Sequence, residues 1–423
     1  MFINILRLIL NMNNIEKKHK LGQYFTTDLK LKEKIYEFIY NNPACILEPC
    51  IGCGNLISYI KNHNSNIVFD MYEIDDTITP NIDINKLDVK YEDFLISGIT
   101  KLYKTIIGNP PFVRTKNGNL YIDFIHKCYN LLDINGELIF IIPYDFFKLT
   151  CASDLLSIMM SEGTFTHIYH PKNEKLFIDA SIDVLVFRYC KNKLLEKKVL
   201  YNNEQLYIFN SNGLIIFSEY NISNNSIISN YFDVYVGLVS GKEEVFKNIQ
   251  FGNIDILTKK NKIEKYIHIN NFPSGNEDLD NYLLSNKEQL ISRRMRKFND
   301  NNWFEWGALR NFYQMNKFND TDCIYLYSLT RNEEIAFKGK ICYFGGNLIM
   351  MKPKQNCNLD NVVCYLNSDK FKQNFITSGR FKIGHRQICN SYIPPNMCFN
   401  KRTYNNVVDT KIDTFIIRNN LGV

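Results

Sequence analysis

Nowhere in this chain of 423 residues does an apolar run reach the roughly 18 residues of a membrane-spanning helix, so a transmembrane protein is excluded. The opening "MFINILRLILNM" is apolar but short, carries Arg7 and lacks a small-residue cleavage site. Residues 1–20 are therefore read as an N-terminal extension rather than a signal peptide, with Met12 as an alternative start. Metal-ligand patterns are absent as well. The single Cys-x-x-Cys, Cys50 to Cys53, has no second pair at zinc spacing and no companion histidines, so no metal site is expected. The other cysteines sit in apolar runs such as "VLVFRYC", which suits reduced thiols in a soluble intracellular protein. Neither a repeat nor a heptad is present, which removes solenoids and coiled coils.

The chain is long enough for two domains. Residues 28–40 form an amphipathic helical pattern with Leu31, Ile35, Phe38 and Ile39 on one stripe and Asp28 at its start. Apolar strand-like runs follow at 44–49, 66–73, 104–108, 137–143, 165–170 and 182–189, with helical patterns at 54–62, 119–132 and 149–162. This rhythm implies βαβ units around a mainly parallel sheet covered by helices on both faces. It stops after Cys190. The expected order is a catalytic domain at 21–190, a connecting segment at 191–230 and a mixed α+β domain at 231–423.

In such a sheet, ligands bind outside the carboxyl ends of the strands. The first strand runs into "EPCIGCGN", where Gly52 and Gly54 let backbone approach a ligand. The second ends at Glu73, some 20 residues on, where a carboxylate can accept from ribose hydroxyls. Asp93 and Phe94, in "YEDF", suit an exocyclic amine and a flat ring. Each of these positions is also compatible with an ordinary turn, strand end or core. More specific is "GNPPF". Its two prolines stiffen a loop that can present the Asn109 side-chain carbonyl and the Pro110 backbone carbonyl as convergent acceptors, beside Phe112 as a stacking face. Two acceptors and a ring suit an aromatic amine whose nitrogen lone pair must be freed for attack on an electrophilic methyl.

These residues, in this order, resemble S-adenosylmethionine-dependent DNA adenine-N6 methyltransferases with the gamma-type motif order, and the resemblance covers 22–190. "GQYFT" (Gly22, Gln23, Tyr24, Phe25, Thr26) is similar to the family's N-terminal cofactor motif, and "ILEPCIGCGN" (with Glu48, Pro49, Cys50, Gly52 and Gly54) to its glycine turn. "YEID" (Glu73, Ile74) resembles the ribose-binding acid, and "EDF" (Asp93, Phe94) the adenine clamp. "GNPPF" (Asn109, Pro110, Pro111, Phe112) resembles the catalytic loop. "FIDASIDVLVFRY" resembles the strand whose preceding aromatic, here Phe177, packs against the extruded base. The resemblance implies a Rossmann-like fold with a seven-stranded sheet, S-adenosylmethionine as cofactor, double-stranded DNA as substrate, a cognate restriction endonuclease as companion, and a C-terminal target-recognition domain. A monomer is compatible with it.

Charge is distributed accordingly. Residues 1–190 hold 19 Lys and Arg against 22 Asp and Glu, net −3, whereas 191–423 hold 31 against 22, net +9. A surplus of this kind suits a polyanion. Candidate DNA-binding residues are Arg293, Arg294, Arg296 and Lys297 in "SRRMRK", Trp303, Trp306 and Arg310 in "NNWFEWGALR", and Arg380, Lys382, His385 and Arg386 in "GRFKIGHRQ". Solvated faces are the plain alternative. Rival functions are an RNA adenine or protein-glutamine methyltransferase, which share the Asn-Pro-Pro-aromatic loop, and an inactive DNA-binding relative.

Overall fold

The computed structural model describes residues 21–115, 118–177, 181–318 and 320–398; the extension expected at 1–20 lies outside them. The chain forms two compact units, one ending at Ser223 and taking back residues 373–379, the other holding the remainder.

In the first unit, helix α1 (Leu29–Glu37) starts where the Asp28 side chain accepts from Leu31 N at 2.9 Å, and it buries Leu31 and Ile35, one turn apart. Strand β1 (Cys45–Glu48) leads into helix α2 (Asn55–His63), then β2 (Val68–Glu73), β3 (Val89–Tyr91) and β4 (Tyr103–Gly108). A two-residue ribbon, β5 (Arg114–Thr115) and β6 (Gly118–Asn119), precedes helix α3 (Leu120–Asn130). Strand β7 (Leu132–Pro143), helix α4 (Ser153–Glu162), β8 (Thr164–Tyr169) and β9 (Val184–Cys190) follow.

With β10 (Lys198–Tyr201), β11 (Glu204–Ser211) and β12 (Leu214–Ser218), the sheet order is β12-β11-β10-β8-β9-β7-β4-β1-β2-β3. From β3 through β7 all pairs are parallel, and β9 inserts antiparallel between β7 and β8. The chain order reverses between β1 and β4, which makes their carboxyl ends the switch point of the sheet. The seven expected strands are present, and three more extend them: β10 (Lys198–Tyr201), β11 (Glu204–Ser211) and β12 (Leu214–Ser218). Residues 198–218, expected as connector, are thus part of the sheet. Their polar, half-exposed alternation along β11 and their Asn- and Lys-rich turns hid them, because strand pairing rather than composition holds an edge hairpin.

A second departure is the return of 373–379. Asn374 O accepts from Phe217 N at 3.1 Å, Ile376 O accepts from Lys148 Nζ at 3.0 Å, and Ile376 is buried in the first unit's core. Midway along β7, buried Glu137 accepts from Arg188 Nε at 2.8 Å and Thr105 Oγ1 at 2.9 Å. It stands six residues before the carboxyl end of β7, roughly 20 Å away, so this ion pair serves the scaffold and not the switch point.

The second unit is mixed α+β. Strands β13 (Ser226–Ile227), β14 (Phe232–Val236), β15 (Ile254–Lys259), β16 (Lys262–Tyr266), β17 (Asp322–Tyr327), β18 (Leu329–Thr330), β19 (Ala336–Lys340), β20 (Leu348–Pro353), β21 (Phe381–Lys382) and β22 (Tyr392–Ile393) occur in it. Its main sheet is antiparallel, in the order β14-β20-β17-β19. Separate ribbons are β15 with β16, β18 with β21 and β13 with β22.

Candidate active site

Each chemistry-bearing motif of the first unit leaves the carboxyl end of a strand: "EPCIGCGN" follows β1, Glu73 closes β2, Asp93 and Phe94 follow β3, and Asn109 follows β4. Together they line one cavity of about 180 Å³, open at its mouth, to which Gly22–Thr26 also contribute. Glu48, Pro49, Cys50, Gly52, Glu73, Ile74, Asp93, Phe94, Asn109 and Pro111 all face it. Gly54 does not; its left-handed backbone (φ +80) begins α2 behind the turn.

The turn after β1 is fastened to the end of β2. Glu73 Oε2 accepts from Gly52 N at 2.9 Å and its Oε1 from Asp75 N at 2.9 Å. Burial pushes the Glu73 carboxyl above the usual range, an effect the backbone donors of Asp75 and Gly52 oppose. Glu48, buried at the mouth of β1, is likewise pushed well up by burial. Gln23 Nε2 donates to Asp75 Oδ2 at 2.8 Å, which brings "GQYFT" to the same strand end. Asp93 caps a short 3-10 turn by accepting from Leu95 N at 2.9 Å. Phe94 is nearly fully buried, stacked on Phe124 at 5.7 Å, so it offers the cavity only part of its ring.

Asn109 is held from one side only. Its Nδ2 donates to Tyr24 O at 2.7 Å and to Thr26 Oγ1 at 3.0 Å, and these two acceptors fix the orientation of the amide. Its Oδ1 is buried and has no hydrogen-bond partner among the described residues. An unsatisfied buried carbonyl costs about 1–3 kcal/mol. Gly22 makes the contact between the two segments feasible. With φ +65 it lies so close to the loop after β4 that a Cβ there would meet Val113 Cγ2 at 2.5 Å and Pro111 Cβ at 3.1 Å.

Three rings gather beside this loop. Phe112 stacks on Tyr24 with centroids 6.1 Å apart, and Phe177 meets Tyr24 at 6.0 Å and Phe112 edge-on at 6.2 Å. Sequence reasoning paired Phe112 with Phe177 but assigned Tyr24 to the cofactor motif alone. It also missed Tyr121, whose ring lies edge-on to Phe112 at 6.1 Å and whose buried hydroxyl has no partner among the described residues. No sequence pattern marks Tyr121: it occupies an ordinary core position of α3. A planar base between two parallel rings needs roughly 7 Å, twice the stacking distance. At 6.2 Å and 77° the Phe112 and Phe177 rings fill that space themselves.

The second unit corrects several candidate DNA contacts. Arg293 is buried, and its guanidinium donates to Leu290 O at 2.7 Å, Ser240 O at 2.7 Å and Trp303 O at 2.6 Å, with Phe298 against its face. Trp303 and Trp306 are buried in the core, and Trp306 Nε1 donates to Ile267 O at 2.7 Å. A run mixing arginine and tryptophan reads alike whether the cation meets phosphates or backbone carbonyls, and here the carbonyls win. Arg296 pairs with Glu305 at 2.6 Å. Arg294, Lys297, Arg310, Arg380 and Lys382 are exposed; His385 is exposed with its ring held 3.0 Å from Val234 O, and Arg386 is half-buried.

With this geometry in place, residues 3–177 match the Eco57I restriction-modification methylase family. The chain is 33% identical over 203 residues to the Type II methyltransferase M.HincII of Haemophilus influenzae, an alignment covering 43% of this chain and 39% of that protein. It is 24% identical over 220 residues to the Type II methyltransferase M.AccI of Acinetobacter calcoaceticus, covering 45% and 41%. The chain thus spans about two fifths of the length of the curated relatives it matches. In fold it resembles the Type IIL restriction-modification enzyme MmeI, solved in complex with DNA, with a TM-score of 0.53 and 12% identity over 92% of this chain and 67% of that one.

The residues lining the cavity fit S-adenosylmethionine, the cofactor that the sequence resemblance implies. Carboxylates at the ends of β1, β2 and after β3 suit its cationic and hydroxyl groups, while Ile74 and Phe94 offer apolar surface for a purine. Among the described residues no cluster suited to a metal occurs and no helix is long and apolar enough to cross a membrane.

Proposed function

We propose that this methylase transfers a methyl group from S-adenosylmethionine to N6 of an adenine flipped out of double-stranded DNA, within a restriction-modification or self-marking system. The observation that carries the reading is the unpartnered, buried Asn109 Oδ1, held by a locked amide beside the cavity. An adenine N6 has two N–H bonds to give. One is accepted by Asn109 Oδ1 and the other by Pro110 O, and both bonds improve as the nitrogen becomes tetrahedral, so the loop acts on the transition state. Bound S-adenosylmethionine supplies an already activated methyl, which leaves alignment as the chain's main task. Glu73 receives ribose hydroxyls and Asp93 the cofactor's purine amine.

Phe112 and Phe177 grip the base after it leaves the duplex, which costs a few kcal/mol of unstacking. For this the ring cluster has to open, with Tyr24 giving up its place on Phe112. Exposed cations of the second unit meet the phosphates. Single-molecule sequencing of DNA from cells expressing the chain tests the reading. N6-methyladenine at one recurring sequence is expected; its absence, with Asn109→Ala and wild-type cells alike, refutes it.

A further inference from the structure

In the second unit, surface lysines are mostly neutralised. Lys260 pairs with Glu334, Lys338 with Asp360, Lys340 with Asp322, and Lys352 with Asp233. The ribbon of β18 and β21 is different. Leu329 stands opposite Lys382 and Thr330 opposite Phe381, and Ile383 N donates to Ser328 O at 3.0 Å in the same register. Just past the paired residues, Arg331 and Arg380 are the next residues of the two segments at the same end of the ribbon. Neither arginine, nor Lys382, has an ion pair among the described residues, and all three are exposed.

Alternation along the ribbon sorts its two faces. Phe381 is buried and approaches Phe371 at 6.5 Å, which anchors the inner face. The outer face carries Arg331, Arg380, Lys382 and Leu329, the last 43% exposed. Two planar cations at one end of a two-stranded ribbon, with an apolar neighbour, match what the major groove of B-form DNA admits. A guanidinium fork pairs with guanine O6 and N7, whereas an ammonium serves as a point charge.

We propose that the outer face of the β18–β21 ribbon enters the major groove of the substrate DNA, with Arg331 and Arg380 reading guanines of the recognition sequence. This rests on the reading of the chain as a DNA methyltransferase and adds the element that selects the sequence. Arg331 was not among the candidates drawn from the sequence; only the pairing of β18 with β21 brings its segment beside that of Arg380.

The test uses the full chain and two duplexes of equal length, one bearing the sequence found methylated in cells and one with that sequence scrambled. Replacing both arginines by Gln (R331Q with R380Q) lowers affinity for the specific duplex tenfold or more. The conservative pair R331K with R380K keeps affinity for the scrambled duplex within about threefold, since lysine still meets phosphates, but loses tenfold or more of the preference for the specific one. An unchanged circular-dichroism spectrum and urea-unfolding profile of the full chain certify the fold of both variants. Absence of N6-methyladenine with the wild-type chain defeats the underlying activity and this proposal together. With wild-type methylation intact, full preference retained by the lysine pair, or wild-type binding by the glutamine pair, overturns the ribbon alone.

Discussion

Replacing Asn109 by Ala removes a side chain with two separable tasks. Its Nδ2 satisfies Tyr24 O and Thr26 Oγ1, so the substitution leaves two buried acceptors short of a donor. At about 1 kcal/mol for each net hydrogen bond, the first unit should lose roughly 2 kcal/mol of stability. Its Oδ1 has no hydrogen-bond partner among the described residues and therefore contributes nothing to that figure. Its contribution comes in the transition state, where losing one preorganised polar contact costs about 10²–10³ in rate, or roughly 3–4 kcal/mol. Thr26→Val separates the tasks: it removes one of the two anchors of the amide while Oδ1 remains. The assay is single-turnover transfer of labelled methyl to a duplex carrying the mapped site, with calorimetry for cofactor binding. Asn109→Ala should lose at least 10²-fold in transfer with cofactor affinity changed far less, and Thr26→Val should lose less than Asn109→Ala. Transfer by Asn109→Ala within about threefold of wild type would refute the reasoning, and "GNPPF" would then be a structural turn.

Burial holds the Glu73 carboxyl above its usual range while ribose hydroxyls need it ionised, so S-adenosylmethionine affinity should fall as pH drops through that raised value; Glu73→Ala should weaken binding by about 1–3 kcal/mol and flatten the profile in calorimetry. Phe112→Ala removes the stacking face and about 1–3 kcal/mol of grip on the flipped base, which 2-aminopurine at the target position should report as reduced extrusion fluorescence. Arg188→Met strands the buried Glu137 charge and should cost about 3–5 kcal/mol in urea unfolding. His167 is held down to about 4 by burial and by the Arg188 charge. Between its ordinary value near 6.5 and that lower one, the unfolded chain binds a proton that the folded chain refuses. Its contribution to stability is therefore complete above pH 6.5 and is lost as pH falls toward 4. Half-exposure reduces this to on the order of 1 kcal/mol, and His167→Gln should show a correspondingly smaller loss between pH 7 and pH 5.

What the sequence determines by itself is local. Apolar runs of strand length, the Asp28 cap, the glycine turn and the doubled proline each act within a few residues, so β1, β2, β4, α1 and the motif loops are legible without coordinates. Their meeting at one cavity follows from the parallel βαβ order, because strands running the same way present their carboxyl ends together. Three things were decided only by tertiary structure. Edge strands β10 to β12 exist because a partner strand supplies the hydrogen bonds that their polar composition gave no reason to expect. Arg293 and Trp306 are core because carbonyls of Ser240 and Ile267, 53 and 39 residues away in sequence, receive their donors. The pairing of Leu329 with Lys382, which brings the segments of Arg331 and Arg380 together, and the single-sided grip on Asn109 by Tyr24 and Thr26, are contacts between distant segments. Residue type announces which side chains can do chemistry; only the folded chain fixes which of their polar atoms are already bonded and which are left for a substrate.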